Sequence, residues 1–379
     1  MPNDNKIMAN DSYPQEPIPP SEQQEPIPPS EQKQEPKPQS PLKILSGEDY
    51  FTKAENFSHD LINFSSSRNR KTGFENLDKF QPLYPGLIVI GAGSSLGKTT
   101  FVYQLAENLA KNGEHVLFFS LEQSQFELYT KSLSLRTHLA HLKDYSKAEY
   151  SSTDIRRGMD YDSKPIDRDY LREQINAFLE ETADRLKVIT APFSITVEDI
   201  ESTTRKYIEE HPGEKVNVVV DYLQIVKPSE ASGKELNTRA SVDHDVHQLK
   251  VMQMELGINI FLVSALNRQS YLSPIDFEAF KESGGIEYTA DLIWGLQLEV
   301  LSVDDTFNKS EKQKQKRDII RLHKRRVPRL IELVVLKNRF GKTGDSFYFE
   351  YDSTHDYYES HDQRHPLSTF GISDTNSQK

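Results

Sequence analysis

The chain has 379 residues, 36% of them hydrophobic, and carries 58 acidic against 46 Lys or Arg side chains, a formal net charge of −12. That balance argues against a protein that coats nucleic acid through general basicity, but leaves room for one that grips a strand through backbone amides and a few local cations. No cysteine occurs, which rules out disulfides and thiolate zinc sites and fits a reducing, cytoplasmic setting.

The N-terminus is polar, without the apolar core of a signal peptide, and no apolar run approaches the ~20 residues of a membrane span, so no membrane partner is expected. Residues 1–42 read as a disordered, proline-rich tail. The nonapeptide Gln-Glu-Pro-Ile-Pro-Pro-Ser-Glu-Gln at 15–23 recurs unchanged at 24–32, and a degraded copy follows at 34–38. Proline at this density fixes φ and removes donors, which favours polyproline II or disorder over a core; the tail serves as a spacer or as a docking strip. Residues 43–71 form a linker region. Within it, Tyr50, Phe51, Ala54, Phe57, Leu61, Ile62 and Phe64 recur near the helical period and predict an amphipathic helix over 48–64. Its stripe packs either on its own domain or on a neighbouring subunit.

Residues 72–358 alternate β and α and form one α/β domain; 359–379 read as a flexible C-terminal tail. Strands are expected at 87–92, 115–120, 216–222, 258–265, 291–299, 330–337 and 346–351. Helices are expected at 99–112, 125–137, 169–182, 197–211 and 242–256. The earlier strands are continuous apolar runs, as in a mostly parallel central sheet flanked by helices, whereas the last two alternate and suggest an antiparallel edge hairpin. Residues 138–167 are polar and poorly periodic, and no element is assigned there.

Residues 87–101 combine an apolar strand, a glycine-rich turn and the start of a helix. Gly97, Lys98 and Thr99 are the phosphate-gripping half of a P-loop. The run Gly93, Ser94, Ser95, Leu96, Gly97, Lys98, Thr99, Thr100 would cradle the phosphates of ATP with backbone N–H groups at a helix N-terminus. Lys98 would reach the terminal phosphates and the Thr99 hydroxyl would ligate Mg²⁺. Where a glycine is usual, five residues before Gly97, stands Ala92, flanked by Gly91 and Gly93.

Further groups follow strand ends, where ligands of α/β sheets bind. Glu122 is either a general base for an attacking water or a helix-initiating acid. Asp221 ends an apolar strand and would hold Mg²⁺. Asn267 or Arg268 either senses the nucleotide or caps a strand exit. Lys337 and Arg339 lie two apart on one side of a strand, as a phosphate clamp or arginine finger, or as a surface salt-bridge pair. The stretch 309–329 holds ten Lys or Arg, either a solvated insertion or a phosphate-contacting surface.

In order, Thr72 to Asp78, Gly97 to Thr100, Phe119 to Glu122, Asp221 to Gln224, Leu266 to Arg268 and Lys337 to Arg339 resemble the motifs of the RecA-like C-terminal motor domain of DnaB-type replicative helicases, which share Ala92. The resemblance implies a RecA-like P-loop NTPase that forms a homo-oligomeric ring, expected to be a hexamer, with ATP between subunits. It implies that Glu122 is the catalytic carboxylate and that Lys337 and Arg339 act on a neighbour's nucleotide. It also implies that Lys281, Glu282 and Gly284 line a central hole and hold single-stranded DNA, and that a loader or primase is a partner.

Two departures stand out: the family has Gln where this chain has Ala265, and the proline-rich tail stands in place of the family's helical N-terminal domain. A phage or mobile-element helicase is therefore expected. The alternatives are a ring-forming, nucleotide-switched regulator or loader that does not unwind, and a RadA-like recombination motor.

Overall fold

A computed structural model describes residues 70–80, 83–182, 184–190, 195–226, 238–280, 284–303 and 313–361. The proline-rich tail, the expected helix at 48–64 and residues 362–379 lie outside these residues, whereas 359–361, expected in the C-terminal tail, belong to the last strand. In chain order the elements are α1 (Glu75–Phe80), β1 (Leu87–Ala92), α2 (Lys98–Lys111), β2 (His115–Ser120), α3 (Gln125–Lys143), α4 (Ser152–Arg157), α5 (Arg168–Thr182), β3 (Leu186–Thr190), α6 (Val197–Glu210), β4 (Val216–Asp221), α7 (Thr238–Leu256), β5 (Asn259–Ala265), α8 (Gly284–Thr289), β6 (Leu292–Leu298), α9 (Val300–Val303), α10 (Gln313–Lys324), β7 (Arg329–Asn338), β8 (Ser346–Asp352) and β9 (Tyr357–His361). None of the described helices is long and apolar enough to cross a membrane.

The strands form one nine-stranded sheet in the order β3-β2-β4-β5-β1-β6-β7-β8-β9. Strands β3 to β6 are mutually parallel across this order, and β7, β8 and β9 add antiparallel. The inner strands read as unbroken apolar runs because both faces are covered. Alternation along each strand divides its side chains between two cores: Ile88 and Ile90 join Phe118, Val219 and Phe261 beneath α2, while Leu87 and Val89 join Phe119, Val218 and Leu262 beneath α6 and α7.

The opening motif is explained by local bonding. The Asp78 carboxylate accepts from the Thr72 N–H at 2.6 Å, the Thr72 hydroxyl at 2.7 Å and the Gly73 N–H at 3.0 Å. Phe74 then stacks on Phe101 of α2, ring centroids 4.9 Å apart. This closed loop rests on the helix that follows the P-loop, and α1 beyond it packs on β8 and β9, where Asn76 donates to the carbonyls of Tyr348 and His361.

All seven expected strands form, within a residue or so of their predicted ends, and the edge hairpin is β7–β8. The structure adds β3 and β9, five-residue edge segments. It also carries α3 on to Lys143, into the unassigned stretch, where residues 138–141 are half-buried and Leu142 and Lys143 exposed. Strand β9 runs to His361, and Gln104 of α2 clamps it, donating to the Tyr358 carbonyl and accepting from the Tyr358 N–H, both at 2.8 Å.

Candidate active site

Parallel pairing sends the carboxyl ends of β1, β2, β4 and β5 to one edge of the sheet. The P-loop leaves β1 there. Ser95 and Gly97 both take positive φ, 63° and 75°, the alternation that turns successive N–H groups into one concave nest. Gly97 precedes α2 with no side-chain cap, so the first N–H groups of that helix remain available to a ligand. A side chain at Gly97 would collide with the Tyr351 ring, 2.5 Å from an added Cβ. Tyr351 stacks in turn on Tyr358 at 4.5 Å, and the Tyr358 hydroxyl donates to the Leu96 carbonyl. The antiparallel edge thus forms the floor of the P-loop.

Asp221 ends β4 beside Lys98 and Thr99. It is 1% exposed, and neither buried oxygen accepts a hydrogen bond of good geometry, although the Thr99 hydroxyl lies near enough to favour the charged form. Burial pushes its carboxyl up to about 6, with Glu122 adding to the rise and Lys98 and Lys131 opposing it. A buried carboxylate with unfilled lone pairs is costly unless a cation completes it, so Asp221 and Thr99 fit a Mg²⁺ site. Burial lowers the pKa of Lys98, with Asp221 and Glu122 holding it up; its ammonium lies 5.8 Å from the Tyr222 ring centroid.

Glu122 follows β2 and is exposed, close enough to Lys98 and Asp221 to act on both electrostatically. It does not initiate a helix. Ser124 caps α3, accepting from the Glu127 N–H, while Glu127 returns to the Ser124 N–H at 2.8 Å. The helix-start role therefore belongs to Ser124 and Glu127, and Glu122 is left facing the crevice.

Thr100 faces elsewhere. Its hydroxyl, buried, donates to Asp356 at 3.3 Å and receives Lys131 at 3.1 Å, while Lys131 pairs with Asp356 at 2.5 Å. Of the cradle residues, Ser94 and Ser95 are exposed and Leu96 is buried. Lys324 donates to the Ser94 carbonyl at 2.7 Å and Arg329 to the Ser95 carbonyl at 2.9 Å. These two cations lie in the basic stretch, but only its return along α10 and β7 brings them to the P-loop. Asn267 takes the strand-capping alternative: its N–H donates to the Ala279 carbonyl at 2.7 Å and its amide to the Glu278 carbonyl at 3.0 Å.

Lys337 and Arg339 are not at this edge. Antiparallel pairing places Asn338 opposite Leu292, at the amino end of β1, about 20 Å from the P-loop for a six-residue strand. There Arg339, 48% exposed, pairs with buried Asp291 at 3.1 Å and donates to the Tyr288 carbonyl at 3.0 Å. Lys337 donates to the carbonyls of Glu287 and Tyr288. Both therefore hold the C-terminal end of α8, which begins at Gly284. Lys281 and Glu282 lie outside the described residues, but both sides of their segment are anchored. Phe280, 1% exposed, fills the space over Gly91, whose added Cβ would lie 2.5 Å from its ring. The Gly285 N–H donates to Asp243 at 2.8 Å.

Residues 70–359 match the family DnaB-like helicase C terminal domain. The chain is 28% identical over 297 residues to the replicative DNA helicase DnaB of Haemophilus influenzae, which covers 75% of this chain and 56% of that protein. To the DnaB of Geobacillus stearothermophilus it is 27% identical over 288 residues, 72% of this chain and 52% of the relative. The chain thus spans about half the length of these relatives. Among solved structures, a DnaB-like replicative helicase determined in work on its interactions with primase superposes with a TM-score of 0.62 at 20% identity, over 82% of this chain and 68% of that one, a likeness of fold. With the family match running over residues 70–359, most of its length, the chain belongs to the DnaB-like helicase C-terminal domain family.

Proposed function

We propose that this protein is the motor of an ATP-driven ring helicase that moves on single-stranded DNA during replication, with a phage or mobile element as its source replicon and a loader or primase as accessory partners. The observation that carries this reading is the division of the site. Lys98, Thr99, Asp221 and Glu122 converge at one edge of the sheet, while Lys337 and Arg339 sit on the opposite edge of the same chain, out of reach of its own P-loop. A complete site then needs two copies arranged head to tail, and repeating that contact closes a ring.

In such a site the P-loop N–H groups and Lys98 would hold the phosphates, and Asp221 with Thr99 would hold Mg²⁺, which would supply positive charge against the triphosphate. Glu122 accepts the proton of the attacking water. Arg339 and Lys337 of a second copy meet the charge that builds on the γ-phosphate. Because both cations also bind the carbonyl end of α8, a movement that draws them toward a neighbour's nucleotide would pull on the segment from Lys281 to Gly284. Backbone amides there would track DNA phosphates without reading bases.

Glu122→Gln is expected to bind ATP normally and lose turnover by about 10²–10⁴-fold; normal hydrolysis would remove Glu122 from the mechanism. The assay for the whole reading is ATP hydrolysis with and without single-stranded DNA, run beside 5′-to-3′ strand displacement.

A second reading, a ring ATPase that switches or loads other proteins without unwinding, draws on Ala265. Its methyl carries no group that could reach the γ-phosphate, and the Gln224 amide occupies its surroundings, bonded to Ser264 Oγ and the Ala265 N–H, both at 3.1 Å. DNA-independent hydrolysis without displacement would favour that reading.

A further inference from the structure

We propose that the outer face of α10 is a binding surface for the phosphate backbone of duplex DNA, carried by Lys314, Arg317, Arg321 and Arg325. Neither the nucleotide site nor the segment at 281–284 uses these residues, so the inference stands apart from the ring and from hydrolysis.

Charge marks the stretch first. Residues 313–329 hold eight Lys or Arg and a single acid, Asp318, in a chain whose formal net charge is −12. Helix geometry then sorts these cations. Ile319 packs on the core and Ile320 is 8% exposed, which fixes the inward face of α10. Lys314, Arg317 and Arg321 follow at i, i+3 and i+7 on the opposite face, and all three are exposed. Arg325, exposed in the turn that ends the helix, continues the row. Successive cations are about 4.5–6 Å apart along the axis, close to the separation of neighbouring phosphates on one strand. Asp318 reaches only Arg321, at 3.7 Å, with both side chains more than half exposed; such a screened surface pair leaves the row strongly positive. Arg317 with Arg321, and Arg321 with Arg325, are like-charge neighbours four residues apart, an arrangement that weakens a helix and that a polyanion laid along the row would relieve.

The row is also held in place. At its C-terminal end Lys324 donates to the Ser94 carbonyl at 2.7 Å, and Arg329 Nε donates to the Lys324 carbonyl at 2.6 Å. With Ile319 and Ile320 seated on the core, the backbone of α10 needs no further ordering when a ligand lands, which lowers the cost of binding.

The make-up of the helix selects a duplex among polyanions. Proteins that grip a single strand stack its bases on aromatic rings as well as holding its phosphates, and α10 has no Phe, Tyr or Trp. Tyr271, beside its end, has the Lys324 ammonium over its ring, 5.8 Å from the centroid. A duplex keeps its bases inside and offers an unbroken line of phosphates, which needs only charge. A protein partner would call for an apolar centre to the contact, yet among the described residues Leu322 is the only large hydrophobic side chain of α10 that is exposed.

The test uses the full chain with no nucleotide added and a short fluorescent duplex, followed by anisotropy across about 50 to 200 mM salt. Duplexes of unrelated sequence should bind alike, with log K falling against log salt at a slope of about −3 to −4 for four cations. Arg317→Ala with Arg321→Ala should reduce that slope by about 2 and weaken binding at least about tenfold at the lower salt. Arg317→Lys with Arg321→Lys should keep both values, because charge alone is used. Lys314→Gln, at the other end of the row, should reduce the slope by about 1, and so supplies the same test should the double alanine variant fail to fold; thermal unfolding checks each variant. Affinity for one strand of the duplex on its own should be unaffected by the alanine changes. A wild-type chain that does not bind duplex, folded variants with the wild-type slope and affinity, or a loss for the single strand as large as that for the duplex would overturn the proposal.

Discussion

Asp221 illustrates the conflict between stability and function in one side chain. In the nucleotide-free protein its carboxyl is raised from 3.8 to about 6 by burial, so between those values the folded state binds a proton that the unfolded state releases. Stability from this group therefore rises as pH falls through about 6 and is lost above it. Asp221→Asn is expected to stabilise the nucleotide-free fold by about 2–3 kcal/mol at pH 7.5, with the gain shrinking toward pH 5, and to abolish Mg²⁺-dependent hydrolysis. Urea denaturation at the two pH values measures the first effect; a variant no more stable than wild type would show that the Asp221 charge is already compensated. Lys98→Ala should abolish nucleotide binding, which equilibrium titration with a fluorescent ATP analogue would detect.

At the scale of elements, the segment preceding the candidate DNA loop hangs on Phe280, which packs over Gly91 of β1. Phe280→Ala removes a fully buried ring and should cost about 3–5 kcal/mol, read as a shift in the urea midpoint. A loss below 1 kcal/mol would mean the loop base is not anchored there. Ser124→Ala should cost about 1 kcal/mol by removing the α3 cap, with ATP affinity unchanged, because Ser124 touches α3 and not the phosphates.

The central strands were legible because Leu87–Ala92, leading into the P-loop turn, and Val216–Asp221, ending in an acid, are short, mainly apolar runs of the kind a strand covered on both faces requires. Strands β3 and β9 were not, since a five-residue edge segment such as Leu186–Thr190 buries one face and has no distinctive run. The P-loop, Glu122 and Asp221 could be read from local spacing. The contacts of Lys324, Arg329 and Asp356 could not, because each joins residues more than 200 positions apart across the antiparallel edge. Nothing in the local pattern around Lys337 and Arg339 reveals that they lie at the far edge from the P-loop; that follows from the antiparallel direction of β7.

For the whole molecule, the far placement of Lys337 and Arg339 would make each chain, in the proposed ring, half of two different sites. The most direct measurement mixes two inactive variants, Lys98→Ala and Arg339→Ala, and follows ATP hydrolysis. In a randomly mixed ring about a quarter of the junctions would join an intact P-loop from one variant to an intact Arg339 from the other. Hydrolysis well above that of either variant alone is expected from the mixture. A mixture no more active than the separate variants, under conditions where exchange of subunits is demonstrated, would contradict a nucleotide shared between neighbours.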